Sequence, residues 1–185
     1  MTQFTRRTAV LGALAGMTLA ACGNGIGSNG AATIDARTDS TLNFMYDTYP
    51  GTRDLAGKAA GLLVMPVVTE IGLGLGGLFG RGALRVGDTT VDYYSSASGS
   101  AGLQIGAQQY SHVLFFMTQD ALLDFRRGQG WAAGADVTYA INDQGEMLQA
   151  ETTTSLAPVI AVVFAQAGLR VGATLEGTKY TRIIP

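Results

Sequence analysis

The segment from Gly61 to Gly87, GLLVMPVVTEIGLGLGGLFGRGALRVG, limits the fold more than any other stretch of the chain. From Glu70 to Gly77, Ile71, Leu73 and Leu75 alternate with Gly72, Gly74 and Gly76, so a strand here has one apolar face and one bare face. Glycine weakens a strand and leaves nothing to pack. A repeated glycine face therefore marks a bend, or a place where a backbone, a helix or a ligand comes close. The device recurs in Gly102 to Gln108, where Leu103, Ile105 and Ala107 oppose Gly102, Gln104, Gly106 and Gln108, and Trp131 to Tyr139 alternates again.

The 185 residues suffice for one domain that buries about 70% of the surface its unfolded chain exposes. Charged residues make up only 14%, but the 26 glycines interrupt the apolar runs and argue against a polytopic membrane protein. Without residues 1–21, which carry Arg6 and Arg7 and no acid, 10 basic residues face 14 acidic ones, a net charge of −4. Nucleic-acid binding needs clustered Lys and Arg, and here only Arg126 and Arg127 are adjacent outside the leader. One Cys and one His provide neither a disulfide, nor a zinc cluster, nor a Ser-His-Asp triad, so no metal and no cofactor is expected.

Residues 1–21 read as an export signal: Arg6 and Arg7, an uncharged run from Thr8 to Ala21 too short to span a bilayer comfortably, and small residues before Cys22. Leu19-Ala20-Ala21-Cys22 resembles the bacterial lipobox, in which the Cys is acylated and becomes the new N-terminus. Thr5-Arg6-Arg7-Thr8 resembles a twin-arginine signal, although Ala9 and Val10 depart from its usual pattern. Cys22 is thus the expected lipid attachment site, with palmitate-like chains anchoring the protein to the periplasmic side of a bacterial membrane, expected to be the outer one. Residues 22–34 are rich in Gly, Asn, Ser and Ala and read as a tether, which starts the domain at Asp35.

Ser40 to Tyr49 puts Leu42, Met45, Tyr46 and Tyr49 on one helix face, after Asp39 or Ser40 as N-cap and before Pro50-Gly51. That face suits core packing or a membrane surface. A short helix follows over Thr52 to Ala60, then a buried strand from Leu62 to Val68. Phe79 to Gly82 reads as a turn, Ala83 to Val86 as a strand, and Gly87-Asp88 as a two-residue hairpin turn into Thr89 to Ser96. A bend over Ala97 to Ala101 precedes the second glycine strand. Val113 to Met117 suits a central strand, and a helix runs from about Thr118, with Asp120 in its first turn, Arg126 and Arg127 in its last, and Gly128 as stop. Trp131 to Tyr139, Pro158 to Phe164, Gly168 to Glu176 and Lys179 to Ile184 complete the strands. Helices at the N-terminus, one mid-chain and eight to ten short strands predict an α+β domain over residues 35–185, with a mostly antiparallel sheet curled into a partial barrel.

Gly72-x-Gly74-x-x-Gly77 matches a dinucleotide fingerprint in letters only, since Leu78-Phe79-Gly80-Arg81-Gly82 cannot open a good helix. His112 has no partner at ligand spacing and reads as a structural histidine. Asp92, Asp136, Asp143 and Glu176 are not paired by spacing, so no enzyme is indicated. A cation beside a small-residue surface can meet a lipid phosphate, which makes Glu70, Gly72, Gly74, Gly76, Arg81 and Arg85 the candidate lipid-binding residues.

Gly61-Leu-Leu-Val-Met-Pro66, the glycine strand through Arg81-Gly82, Tyr93-Tyr94-Ser95, Gly102 to Gln108, Leu114 to Met117, Phe125, Trp131, Gly134 and Leu175-Glu-Gly177 occur in the order that resembles a SYLF domain, over roughly Leu55 to Ile184. The eukaryotic family is associated with phosphoinositide membranes and actin patches, and bacterial members are often exported lipoproteins. The resemblance implies a non-catalytic domain that binds a phospholipid, an acyl chain or the membrane surface. The alternative is an envelope module for a protein partner. Unlike the basic N-terminal segment of eukaryotic members, Ser40 to Tyr49 contains Asp47 and no Lys or Arg, and actin does not fit an exported bacterial protein.

Overall fold

The computed structural model describes residues 28–128, 130–134, 137–139, 157–165, 168–169, 175 and 177–185. Helices α1 (Gly30–Thr48) and α2 (Gly51–Lys58) lead into β1 (Gly61–Val86), β2 (Thr89–Phe116), α3 (Gln119–Arg127), β3 (Trp131–Ala132), β4 (Val137–Tyr139), β5 (Val159–Ala165), β6 (Gly168–Leu169) and β7 (Lys179–Ile183). The seven strands form one curled, mostly antiparallel sheet, a half-barrel, with β4 parallel to β5. The expected α+β class holds.

Two expected breaks are absent. Phe79 to Gly82 and Ala97 to Ala101 are paired strand rather than turn and bend, so β1 has 26 residues and β2 has 28. They form one hairpin closed at Gly87-Asp88, where Gly87 takes φ +57°. A straight 26-residue strand would run about 85 Å, far beyond the radius of gyration of about 15 Å for a domain this size. The hairpin therefore doubles over. Register shifts between Met65 and Val68, Leu73 and Gly74, and Leu84 and Arg85 supply the irregularities that let it bend.

Glycine is what lets the two limbs of β1 meet. A Cβ on Gly82 would collide with the Val64 carbonyl, and one on Gly80 would lie 3.1 Å from the Val67 carbonyl oxygen and 2.8 Å from Val68 Cγ2. Along the second half of β1 the even positions Gly80, Gly82 and Leu84 are buried, as are Val68 and Gly72, whereas Val67, Ile71, Phe79 and Arg81 are exposed. Gly72, Gly80 and Gly82 thus look inward, and what approaches at Gly80 and Gly82 is the strand's own other limb.

β2 is the spine. Along one edge it pairs β1 throughout; along the other, Ser111 to Phe116 pair β5 and Tyr93 to Ala97 pair β7. Alternation then sorts side chains onto two cores. Leu63, Met65, Leu84, Tyr94, Leu114, Phe116, Val163 and Tyr180 fill the concave side, which α3 closes with Leu122 and Phe125. Leu62, Val64, Val113, Phe115, Ile160, Val162 and Phe164 point the other way, against Met45 of α1 and Leu55 of α2. Burial on both faces at Leu62 to Met65, Val113 to Phe116 and Val159 to Phe164 is why these stretches read as continuous apolar runs.

α3 matches its sequence signals, with the Thr118 side chain accepting from the Ala121 N–H (3.2 Å) and Gly128 at the end. α1 starts earlier than expected. It begins at Gly30, inside the stretch read as tether, and Ser28 Oγ donates to the Pro185 carbonyl at 3.2 Å. Its apolar face is spent on the core: Met45 is fully buried, and Leu42, Tyr46 and Tyr49 pack beside it. The alternation over Trp131 to Tyr139 is likewise not one strand, since β3 pairs β7 and β4 pairs β5. Of the strand expected over Gly168 to Glu176, the described residues are β6 and Leu175, and Leu175 is not in a strand. The leader with Arg6 and Arg7, Cys22, and the carboxylates Asp136, Asp143 and Glu176 lie outside the described residues. Among those described, no helix is long and apolar enough to cross a membrane.

Candidate functional site

α1 is clamped to the turn end of the hairpin by polar contacts far apart in sequence. Asp35 accepts from the Thr90 hydroxyl and the Tyr93 hydroxyl, both at 2.8 Å, and Asp39 accepts from Arg85 Nη2 at 2.6 Å. Arg85 also donates to the Asp88 carbonyl (2.9 Å), so this candidate cation is committed to holding helix and turn together. Burial, reinforced by the hydrogen bond to Asp35, pushes the Tyr93 hydroxyl up to about 12.

Seated this way, α1 lines two adjoining grooves along one of its faces. The first, about 600 Å³, lies between the N-terminal half of α1 and the outward face of β1. Pro66, Val67 and Phe79 give it apolar walls, Thr33 and Thr69 give hydroxyls, and Arg37 and Arg81 give two guanidinium groups. The second, about 730 Å³, shares Arg37, Pro66 and Val67 and adds Phe44, stacked on Phe164 with ring centroids 5.9 Å apart, with Gln109 and Ser111. Among the described residues no carboxylate lines either groove. An apolar wall beside guanidinium groups suits an amphipathic anion, whose charged end bonds to arginine while its apolar part leaves water.

Of the sequence candidates, Arg81 lines the first groove. Glu70, Gly72, Gly74 and Gly76 line neither; they sit in the paired middle of the hairpin opposite Gln108, Gly106, Gly102 and Ser100. The two glycine stripes are therefore cross-strand neighbours. Sequence reasoning missed Arg37, Val67 and Phe79. Arg37 and Val67 carried no signal, because which residues flank a seated helix depends on contacts made far away in the chain. Phe79, a large aromatic between Leu78 and Gly80, was absorbed into an expected turn.

His112 and Asp92 serve the fold. His112 is fully buried and lines neither groove; its Nε2 lies 2.8 Å from the Tyr180 hydroxyl, and burial lowers its pKa to about 3. An imidazole held neutral and away from solvent is poorly placed for proton transfer to a ligand. Asp92 is bracketed by Arg126 Nε at 3.0 Å and Arg182 Nη2 at 3.3 Å, an ion-pair network that ties α3 to β2 and β7. Among the described residues no three His, Cys, Asp or Glu side chains come together as a metal site.

Comparison with known proteins adds one match. Residues 97–182 fit the family model Ysc84, described as Las17-binding protein actin regulator. The match starts within β2 and runs into β7, so it covers most of the spine, α3 and the later strands, with Gln109, Ser111 and Phe164 of the second groove, but not α1, α2 or β1, and the described lining of the first groove lies wholly outside it. No curated protein matches the chain. Residues 97–182 are thus similar to the Ysc84, or SYLF, domain family, a family of binding and regulatory modules.

Proposed function

We propose that this protein is a non-catalytic lipid-binding module of a bacterial envelope, anchored through acylated Cys22 after export by the Arg6-Arg7 leader. The observation that carries the reading is the first groove, where Arg37 and Arg81 stand beside the apolar side chains of Val67 and Phe79. A phospholipid supplies both halves of the match, a phosphate for the guanidinium groups and acyl carbons for the walls. Among the described residues Arg37 makes no ion pair, so no carboxylate has to be displaced from it.

The anchor and the domain are separate contributions. Each buried methylene contributes about 0.8 kcal/mol, so several acyl chains on Cys22 anchor stably whatever the domain does. Flotation of the full chain carrying Cys22→Ser, with vesicles of several head-group compositions, isolates the domain. That variant is expected to be soluble and to float with anionic vesicles; no retention under any composition contradicts intrinsic lipid binding.

A second reading is favoured by the family description, Las17-binding protein actin regulator, which names a protein partner for the family. In that reading the sheet or a groove receives an envelope protein and the lipid serves only as tether. Actin itself does not suit an exported bacterial protein. Cross-linking in cells followed by mass spectrometry separates the two, since a specific protein adduct at the groove residues supports the second reading.

A further inference from the structure

The route to Cys22 and the first groove coincide. Ser28, Asn29 and Gly30, where the described chain begins, themselves line that groove. Six residue steps separate Ser28 from Cys22, a span of at most about 20 Å. Acyl chains on Cys22 therefore hold the groove within about 20 Å of the head groups.

The surface presented there is suited to that neighbour. Seven large apolar side chains are exposed among the described residues, and four of them, Phe44, Val67, Ile71 and Phe79, gather along the grooves and the outward face of β1. Val67, Thr69 and Ile71 follow one another on alternate positions, and Ile71 and Phe79 are 57% and 56% exposed. Arg37 and Arg81 stand among them, on a domain whose net charge after the leader is −4. Apolar side chains beside arginines are the composition that enters the boundary between head groups and acyl chains.

We infer that this face docks in cis on the leaflet that holds the Cys22 acyl chains, with Ile71 and Phe79 at the acyl boundary and Arg37 and Arg81 at lipid phosphates. The inference rests on the lipid-binding reading and gives it an orientation. A tether this short places the face at a local concentration on the order of millimolar, so even a weak site is occupied. The domain then lies against the membrane instead of swinging from its anchor.

The test uses the acylated full chain in vesicles of phosphatidylethanolamine and phosphatidylglycerol, carrying a bimane label on Phe79→Cys or, as control, on the exposed Asp120→Cys of α3. Ile71→Cys replaces Phe79→Cys if that variant fails to fold. Spin-labelled lipid is expected to quench the label at position 79 or 71 several-fold more than the label at 120. Equal quenching, or stronger quenching at 120, overturns the docking. A blue-shifted but unquenched label at 79 overturns it as well: with vesicles it puts the chain's own acyl group in the groove, and without them a second copy. The same labels on Cys22→Ser protein separate the two claims. Vesicle binding with no quenching at 79 leaves lipid binding standing and removes the orientation, whereas no binding by Cys22→Ser, with quenching at 79 in the anchored chain, does the reverse.

Discussion

The Tyr180 hydroxyl lies 2.8 Å from His112 Nε2 inside the concave core, joining β7 to β2 by a buried polar contact, while His112 Nδ1 has no hydrogen-bond partner among the described residues. The protein therefore folds around a neutral imidazole. With its folded pKa lowered to about 3 and an unfolded value of about 6.5, the unfolded chain binds the extra proton between those limits. His112 thus contributes stability that is complete above about pH 6.5 and is lost progressively as pH falls towards 3. From pH 7 to pH 5 the loss is about 2 kcal/mol. Urea unfolding at the two pH values measures it, and His112→Gln, which keeps a neutral hydrogen-bonding side chain, is expected to flatten the slope.

Asp35, half-buried at the seat of α1, provides a second test. Asp35→Asn keeps the shape and removes the charge that the Tyr93 and Thr90 hydroxyls bond to, at an expected cost of about 1 to 2 kcal/mol. Because burial remains and only the Asp35 contribution is removed, Tyr93 should titrate below its present value of about 12 yet above that of a free tyrosine. Ultraviolet difference titration reads the shift directly. An unchanged Tyr93 would mean that the contact does not hold the helix in solution.

Gly82→Ala tests the doubling of the hairpin. Its Cβ would meet the backbone of Val64 and come 2.6 Å from Met65 Sδ, and the carbonyl cannot rotate away as a side chain could. A destabilisation of about 3 kcal/mol is expected, the upper end for overpacking. Gly57→Ala in α2 is the contrast, because nothing lies within 4 Å of its Cβ. It should stabilise by about 0.5 kcal/mol through helix propensity and reduced freedom of the unfolded chain. Thermal melts of the pair decide the matter, and similar behaviour would remove the close approach of the two limbs.

These glycines also show where the sequence was ambiguous. Gly80 and Gly82 looked like a turn because glycine in a turn and glycine under a crossing backbone leave the same trace, and only the partner at Val64 to Val68 tells them apart. Elements with local causes were legible. Thr118, Asp120, Arg126 and Gly128 bracket α3, and Gly87-Asp88 closes the hairpin. The start of α1 was not, because Ala31 to Thr41 offers only Ile34 as a large apolar residue; that half is held by Asp35 and Asp39, whose partners lie 46 to 58 residues away. Trp131 to Tyr139 alternates as one strand would, yet its two ends join different strands, and the Val137 N–H donates to the Gly134 carbonyl. Of the lipid-binding candidates Arg81 alone lines either of the two described grooves, since a groove is made by how a helix sits and not by any one stretch.

The most direct measurement is the affinity of Cys22→Ser protein for phosphatidylglycerol vesicles with and without Arg37→Glu. Arg37 is exposed and lines both grooves, so its reversal should spare the fold. A basic side chain near an anionic surface contributes about 1 kcal/mol, and reversing the charge doubles the effect, so binding should weaken tenfold or more. Equal affinity for the two proteins, or no binding by either, contradicts lipid recognition at this groove.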